Sequence, residues 1–312
     1  IRRDAGVEEI DALVVVVDHV ERYHPSNAYI QYICDWRREG VLILPTDEDK
    51  PSTILSIFDQ SILLPPPGEP TWIDDIRCVG VWSRSECDRP GSPPVKLAAG
   101  VKQVMDELKI SDGKIGLIGD PSPPFVSSLA KALPQATFTD AAHIINRMQY
   151  VRSRREQEIM KTCGQLADIG FEAAVHVCKP GVTDYEVYAA LTFAMMSRGA
   201  ESGDGYQFGA NKYGTHTCKP YGQRIKPGHI VNIYLSHVEY QGYNTQSARM
   251  IVVGDIPRYN EEIIEMCIEG VRGAMKVAGP GVTVRDINNA AFKPFVDRGK
   301  IRSPVGRTMP HT

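Results

Sequence analysis

Residues 228–250 read GHIVNIYLSHVEYQGYNTQSARM. Apolar and polar side chains alternate from Val231 to Ser236, and a period of two is typical of a β-strand with one face in a core. A turn is predicted around residues 239–242, and a second extended run follows at 245–253. The stretch therefore predicts two adjacent strands that present one apolar and one polar face.

Length and composition describe an ordinary globular protein. A chain of 312 residues with 42% hydrophobic and 23% charged residues can bury a sizeable core in each of two domains. The formal net charge of -3 gives no electrostatic footprint for nucleic acid or for an anionic membrane. Purely apolar runs are too short to span a bilayer. We therefore expect a protein that binds neither nucleic acid nor membrane.

The cysteines predict reduced thiols. There are 7 of them, at scattered positions and without a C-x-x-C pair, so they suggest neither a disulfide framework nor a zinc site. The first residues, IRRDAGVEEI, lack the apolar core of a signal peptide. The sequence therefore predicts a cytoplasmic protein.

The first half of the chain alternates apolar runs with amphipathic ones, which is typical of an α/β layer domain. Strands are predicted at 12–17, 41–45, 54–58, 76–82 and 114–119, and helices at 28–36, 96–108 and 124–133. A basic run at 146–155 precedes a long helical pattern, so we expect the domain boundary there.

The second half contains an internal repeat. The segment KPGVTDYE at 179–186 recurs as GPGVTVRD at 279–286, and SRG at 197–199 recurs in register as DRG at 297–299. Two copies of one unit are therefore predicted after residue 150.

Each copy carries the signals that end one helix and begin the next. The Pro-Gly pair ends a helix, and its glycine suits a left-handed or turn conformation. Thr183 and Thr283 are predicted helix caps, with Glu186 and Asp286 as their reciprocal partners three residues later. Packed against each other, two such units would leave a pocket at their seam.

The stretch at 228–250 resembles the central hairpin of the pita-bread family, which includes creatinase, prolidase, Xaa-Pro aminopeptidase and methionine aminopeptidase. In the peptidases the hairpin reads hydrophobic-x-hydrophobic-Asp-x-Gly, then a turn, then Gly-Tyr-x-x-Asp-x-Thr-Arg, and both Asp residues bind a pair of metal ions. Gly242, Tyr243 and Arg249 match this pattern, with Ala248 in place of the Thr.

The two metal-binding positions of the family hold no carboxylate here. The first corresponds to Tyr234 when counted from Gly228 and to Leu235 when counted back from Gly242; the second corresponds to Gln246. Metal-dependent peptidase chemistry is therefore disfavoured, and we expect no metal and no cofactor. Tyr234 and Gln246 become candidate substrate-binding residues.

The resemblance also implies the fold class. Residues 1–148 are similar to the small α/β amino-terminal domain of creatinase and prolidase, and residues 149–312 to the α+β, pseudo-twofold pita-bread domain. The family continues beyond the point where this sequence stops, so we expect the C-terminal part of that domain to be incomplete. Family members usually form dimers, and the resemblance implies a homodimer.

Four further site residues follow from the resemblance. His216, in FGANKYGTHT at 208–217, corresponds to the site histidine before the hairpin and would be an acid/base catalyst; a structural histidine is the alternative. Arg37 would hold a substrate carboxylate across a dimer interface, or would form a solvated surface pair with Arg38. Arg249 is either a substrate anchor or a structural ion-pair partner. His311 resembles a histidine that precedes a Gly-His motif of the family.

Three functions fit these residues. The first is a creatinase-like, metal-independent hydrolase that cleaves a carbon–nitrogen bond in a small amide or amidine acid. The second is a metallopeptidase of the Xaa-Pro aminopeptidase or prolidase type that acts on a short peptide. The third is a non-catalytic pita-bread protein that binds a protein partner.

Overall fold

The computed structural model describes residues 1–17, 28–36, 40–56, 71–79, 93–119, 121–201, 207–215 and 219–300. The chain divides into two compact units. The first consists of Ile1–Lys161 with Tyr240–Tyr243, and the second of Thr162–Glu239 with Asn244–Thr312. The predicted division at residue 148 differs from this clustering of contacts and stays a prediction.

The first unit is built around a mixed sheet. Its strands are β1 (Ala12–Val17), β2 (Gly40–Pro45), β3 (Thr53–Ser56), β4 (Asp75–Cys78), β5 (Lys114–Gly119) and β6 (Thr137–Asp140). Its helices are α1 (Arg2–Val7), α2 (Ala28–Cys34), α3 (Pro93–Leu108), α4 (Pro123–Ala132) and α5 (Ala142–Gln149). The strand order is β4-β3-β2-β1-β5-β6.

Strand β1 lies at the centre of this sheet because its side chains are apolar on both faces. It pairs antiparallel with β2 and parallel with β5. Val14 and Val16 pack under α3 and α4, whereas Leu13 and Val15 pack with α2 and α5 on the opposite face. A strand covered by helices on both faces is a continuous apolar run, which is what the sequence of β1 shows.

The second unit contains the repeat. It holds most of α6 (Arg154–Val177), followed by α7 (Asp184–Met196), α8 (Arg258–Val277) and α9 (Val284–Asp297). Its sheet has the order β7-β8-β9, with β7 (Gln207–Asn211), β8 (His229–Tyr240) and β9 (Tyr243–Val253). Strands β7 and β8 are antiparallel, with Gln207 opposite Tyr234 and Asn211 opposite Ile230.

Most predicted elements are confirmed. The strands at 12–17 and 114–119 have the predicted bounds, and α2, α3 and α4 overlap the three predicted helices. Both caps of the repeat form as predicted. The Thr183 and Thr283 hydroxyls accept hydrogen bonds from the backbone N–H groups of Glu186 and Asp286, and the Glu186 and Asp286 carboxylates accept from the backbone N–H groups of the two threonines. The predicted strand ends at 57–58 and 80–82 lie outside the described residues.

Several short elements were missed by the sequence patterns. They are α1, β6, α5 and β7. None of these elements exceeds 8 residues, and a window that short holds too few repeats of either period to identify a helix or a strand.

Candidate functional site

The predicted hairpin is present as β8 and β9, joined by a tight turn. Gln241 and Gly242 have φ angles of 50° and 75°, the left-handed pair that suits a two-residue hairpin loop. A Cβ atom on Gly242 would lie 2.4 Å from the Cδ atom of Gln31, so a side chain there would have to displace the Gln31 amide. The positive φ angle is the main reason that glycine suits this position.

Tyr234 and Gln246 come together on this hairpin. The Tyr234 hydroxyl donates a hydrogen bond to Oε1 of Gln246 at 3.0 Å. Leu235, the other candidate for the first position, is fully buried in the core. Tyr234 is thus the residue that shares a face with Gln246, and these two side chains occupy the positions that the resemblance assigns to metal ligands.

The chemistry of this pair does not fit a dinuclear metal centre. A phenol and a carboxamide are both neutral, whereas two divalent ions need carboxylates to bridge them and to balance their charge. The two side chains are also hydrogen-bonded to each other. Across the part of the chain that the structure describes, no group of three or more His, Cys, Asp or Glu side chains is placed to hold a metal ion.

Arg249 contacts helix α6. Its Nη2 atom lies 3.7 Å from Oδ1 of Asp168, its Cζ atom lies 5.1 Å from the ring centroid of Phe171, and its Nη1 donates to the Ala248 carbonyl at 2.9 Å. Both charged side chains are more than half exposed, so the ion pair contributes little stability. The cation–π contact of Arg249 with the Phe171 ring contributes some further stability. The ion-pair alternative for Arg249 is present in the structure, and its role as a substrate anchor stays a prediction.

An open cavity of about 410 Å³ lies beside Arg249. Its walls come from one face of α6 and from β9, namely Asp168, Phe171, Glu172, Val175, His176, Arg249, Met250 and Ile251. Gln246 and Arg249 are three residues apart, so in a regular strand their side chains point to opposite faces. Their contacts agree, since Gln246 bonds to β8 and Arg249 to α6.

Tyr243, where β9 begins, lies in a polar cluster of the first unit. Its hydroxyl donates to Oε1 of Glu156 at 3.2 Å, and Arg152 lies over its ring. Burial and the Glu156 charge raise the pKa of Tyr243 to about 12. Burial opposes ionisation of Glu156 as well, but hydrogen bonds from Ser153, Arg152 and Tyr243 outweigh it and lower the pKa of this carboxyl. The sequence patterns matched Tyr243 but missed its partner.

Three predicted site residues lie outside the described part of the chain: Arg37, His216 and His311. Their roles therefore stay predictions. The structure does describe the turn that leads to position 216, residues 211–215, in which Asn211 accepts from the Tyr213 N–H at 2.9 Å and donates to the Thr215 carbonyl at 2.7 Å. Among the described helices, none combines the length and the apolar character needed to cross a bilayer.

Comparisons with known proteins agree with this architecture. Residues 158–311 match the sequence model of metallopeptidase family M24. An Xaa-Pro dipeptidase of Pyrococcus horikoshii is 29% identical over 179 residues, which cover 56% of this chain and 50% of the relative. The uncharacterized hydrolase/peptidase y4tL of Sinorhizobium fredii is 24% identical over 315 residues, covering 96% of this chain and 75% of the relative.

Solved structures show the same fold. The prolidase from Pyrococcus horikoshii superimposes with a TM-score of 0.74 at 20% identity, over 96% of this chain and 77% of the prolidase. The prolidase from Pyrococcus furiosus gives a TM-score of 0.75 at 18% identity, over 96% and 79% of the two chains. The chain spans about half the length of the Xaa-Pro dipeptidase that it matches. It therefore has the pita-bread fold, and its residues 158–311 match metallopeptidase family M24; Xaa-Pro dipeptidases are among the proteins similar to it in sequence, and prolidases are among the solved structures with the same fold.

Proposed function

We propose that the protein is a hydrolase that cleaves the carbon–nitrogen bond of a short peptide or of a similarly small amide acid. The observation that supports this class is the match of residues 158–311 to family M24, a region that contains the whole β8–β9 hairpin. Relatives named Xaa-Pro dipeptidase make dipeptides that end in proline the first substrates to test.

Two routes to hydrolysis have separate support. The family match and the dipeptidase relatives favour the metallopeptidase candidate. The neutral, mutually bonded Tyr234–Gln246 pair favours the creatinase-like, metal-independent candidate, because neither side chain supplies the charge that two divalent ions require.

In the metal-independent candidate, His216 is the acid and base. Its neutral imidazole accepts a proton from water as the water oxygen bonds to the substrate carbonyl or amidine carbon. The resulting imidazolium then returns that proton to the leaving nitrogen as the carbon–nitrogen bond breaks. Histidine suits both steps because its ordinary pKa lies close to neutral pH.

Substrate binding is proposed for five residues. Tyr234 and Gln246 offer a hydroxyl and an amide on one face of the hairpin. Arg249 offers a cation beside the cavity on the opposite face, so its proposed role as an anchor is separate from the Tyr234–Gln246 pair. Arg37 and His311 complete the proposed set from the family resemblance. The same proposal includes a homodimer in which Arg37 reaches the site of the partner subunit. Light scattering after size-exclusion chromatography measures the mass of the particle and so tests for the dimer.

The deciding experiment compares turnover with and without metal. Purified protein, dialysed against a chelator, is assayed on Xaa-Pro dipeptides and on small amide and amidine acids, before and after Mn²⁺ or Co²⁺ is added. We expect turnover that the chelator does not reduce.

His216→Ala should lower kcat by about 10²- to 10⁴-fold, the usual contribution of a general acid–base group, with an unchanged melting temperature. His143→Ala, a histidine of α5 that contacts Glu8, is the matched control.

Two results would overturn the metal-independent candidate. Tightly bound metal in stoichiometric amount, with activity lost to the chelator, would establish the metallopeptidase route instead. Neither metal nor turnover across the whole panel would leave the third function, a non-catalytic binding protein, as the better account.

A further inference from the structure

The side-chain amide of Gln246 has a fixed direction. Its Oε1 atom accepts a hydrogen bond from the Tyr234 hydroxyl at 3.0 Å. The oxygen and the nitrogen of a carboxamide lie on opposite sides of its carbon, so an oxygen held by Tyr234 turns the two N–H bonds of Nε2 away from the tyrosine. Gln246 is an exposed residue of β9, and these N–H groups are therefore open to a ligand.

The same hydrogen bond makes the Gln246 amide a better donor. Hydrogen bonds in a chain polarise one another, so a carboxamide whose oxygen accepts a bond donates more strongly through its nitrogen. The Tyr234 hydroxyl thus both orients and polarises Gln246. Its removal should loosen the amide and weaken the N–H groups as donors.

The face around the pair is neutral. Gln207 of β7 is paired with Tyr234 of β8, and directly opposite residues of antiparallel strands share a face. Gln207, Tyr234 and Gln246 therefore form a row of two amides and a phenol across the three strands of the sheet. Because this row carries no formal charge, it recognises a ligand by hydrogen bonds and not by ion pairing.

Carboxamide N–H groups suit an oxygen that becomes negative during a reaction. When water adds to an amide, the water oxygen bonds to the carbonyl carbon and one electron pair of the C=O double bond moves to the carbonyl oxygen. That pair re-forms the double bond as the carbon–nitrogen bond breaks. Asparagine and glutamine amides are among the groups that stabilise such an oxygen in enzymes. They exchange no proton, since both proton transfers belong to the acid–base group of the proposed function.

We propose that Gln246 is a catalytic residue that donates to the carbonyl oxygen of the substrate in the transition state, and that Tyr234 is its positioning residue. This role deepens the proposed function and rests on it. It also selects between the substrate classes. An amide presents an oxygen to Gln246, whereas an amidine is protonated at neutral pH and presents N–H groups that need an acceptor. The hairpin is therefore matched to amides, including peptide bonds.

Two variants of Gln246 test the donor. Gln246→Glu keeps the shape and replaces the N–H groups with an anionic acceptor, and Gln246→Met keeps the length and removes both amide groups. With an amide substrate that the protein turns over, kcat should fall by about 10²- to 10³-fold in both variants, the usual effect of losing one such donor. KM should change by less than about threefold.

The matched control is Asn244→Asp. Asn244 is another exposed amide residue of β9, two positions before Gln246 and so on the same face of a regular strand. The substitution introduces the same charge as Gln246→Glu and should lower kcat by less than about threefold, because an exposed charge at that distance is screened by salt. A loss equal to that of Gln246→Glu would show that charge alone is responsible and would overturn the donor role.

Tyr234→Phe tests the positioning role. Loss of the hydroxyl should lower kcat by about two- to tenfold, the usual range for one hydrogen bond. In the Gln246→Met background the same substitution should lower kcat no further, because the effect of Tyr234 passes through Gln246. A purely structural role of Tyr234 predicts equal reductions in both backgrounds, and that result would exclude positioning.

A binding measurement does not depend on turnover. The phosphinic acid analogue of Ala-Pro has a tetrahedral phosphorus with a negative oxygen in place of the amide carbonyl. Calorimetry on chelator-treated protein should show that Gln246→Met weakens binding of this analogue by at least about tenfold, because a hydrogen bond to an anion is lost. Asn244→Asp should weaken it by less than about threefold.

The outcomes separate this inference from the proposed function. Unchanged kcat in both Gln246 variants contradicts the donor role, and faster turnover of amidines than of amides contradicts the substrate class. If no substrate is turned over but the analogue binds through Gln246, the proposed hydrolase fails and the hairpin remains a site for a negative oxygen. If the analogue does not bind either, both fail.

Discussion

The two copies of the repeat begin their helices in the same way and differ at the next residue. Thr183 and Thr283 have φ and ψ angles of -87° and 156°, and of -84° and 156°, and each forms a full capping box. Asp184, however, is 2% exposed, whereas Val284 is 84% exposed. A cap is a local device that five residues can specify, but burial depends on what packs against the helix.

What packs against the first copy is the segment that leads into the hairpin. Oxygens of Asp184 accept from the Tyr221 and Gly222 N–H groups at 3.1 and 2.8 Å. Backbone bonds join Gly181 and Val182 to Ile225 on the same segment. In the second copy, no residue of α9, all of which the structure describes, is buried. The first copy therefore anchors the segment that leads into the hairpin, whereas α9 of the second copy packs on α8 and leaves its first residue exposed.

The largest expected effect tests this anchor. Asp184→Ala leaves two backbone N–H groups without their carboxylate, so the free energy of unfolding should fall by about 2 to 4 kcal/mol. Val284→Ala, at the matching position, should change it by less than about 0.5 kcal/mol. Urea denaturation of the two variants measures both, and equal effects would contradict the difference between the copies.

The next effect should be equal in the two copies. Thr183→Ala and Thr283→Ala each remove the hydroxyl that caps a helix, which costs about 1 kcal/mol. The matching Ser variants keep the hydroxyl and should lose much less. A difference above about 1 kcal/mol between the two Ala variants, measured by the same denaturation, would show that the caps are not equivalent.

Acid should weaken both caps. Hydrogen bonds from the Thr183 backbone and side chain lower the pKa of Glu186, and those from the Thr283 side chain and backbone lower the pKa of Asp286. A carboxyl whose pKa is lowered by folding stabilises the folded state at pH values above its ordinary pKa, which is 4.5 for Glu186 and 3.8 for Asp286. This stabilisation is lost as the pH falls through the lowered pKa of the folded state.

Glu186→Gln and Asp286→Asn remove the titrating groups. Melting temperatures measured between about pH 6 and about pH 3 should therefore fall less steeply in these variants than in the unaltered protein. If the melting temperature of the variant that carries both substitutions falls as steeply with pH as that of the unaltered protein, other carboxyls account for the acid sensitivity.

The smallest effect comes from making the second copy like the first. Val284→Asp adds a carboxylate at the N-terminus of α9, where the helix dipole favours negative charge by about 0.3 to 1 kcal/mol. No large gain is expected, because the side chain is 84% exposed and no loop among the described residues bonds to it as residues 221–222 bond to Asp184. A stabilisation that approaches the loss from Asp184→Ala would contradict this view.

The hairpin that carries the candidate residues could be located from the sequence because its signals are local or alternate along a strand. The hairpin, its turn, and the placing of Tyr234 and Gln246 at corresponding positions followed from the pattern at 228–250. The two possible registers, Tyr234 or Leu235, could not be separated by counting, since the turn is longer than in the family pattern. Packing separates them, because Leu235 is buried in the core and Tyr234 bonds to Gln246.

Contacts between distant parts of the chain could not be predicted in this way. The sequence around Arg249 does not predict its contacts with Asp168 and Phe171, and the sequence around Asn232 does not predict its hydrogen bond to Gly214. Periodicity shows which face a side chain occupies but not which element covers that face. Arg37, His216 and His311 depend on the family resemblance and stay predictions.

The sequence by itself determined the α/β order of the first half, the repeat, its two caps and the hairpin, because each depends on neighbours within a few residues. Only the tertiary structure decided that Asp184 is an anchor while Val284 is exposed, that Arg249 pairs with α6, and that Asn232 donates to the Gly214 carbonyl. These facts depend on which surfaces meet when the chain folds, and burial sets both the cost of a polar group and the value of the hydrogen bond that satisfies it.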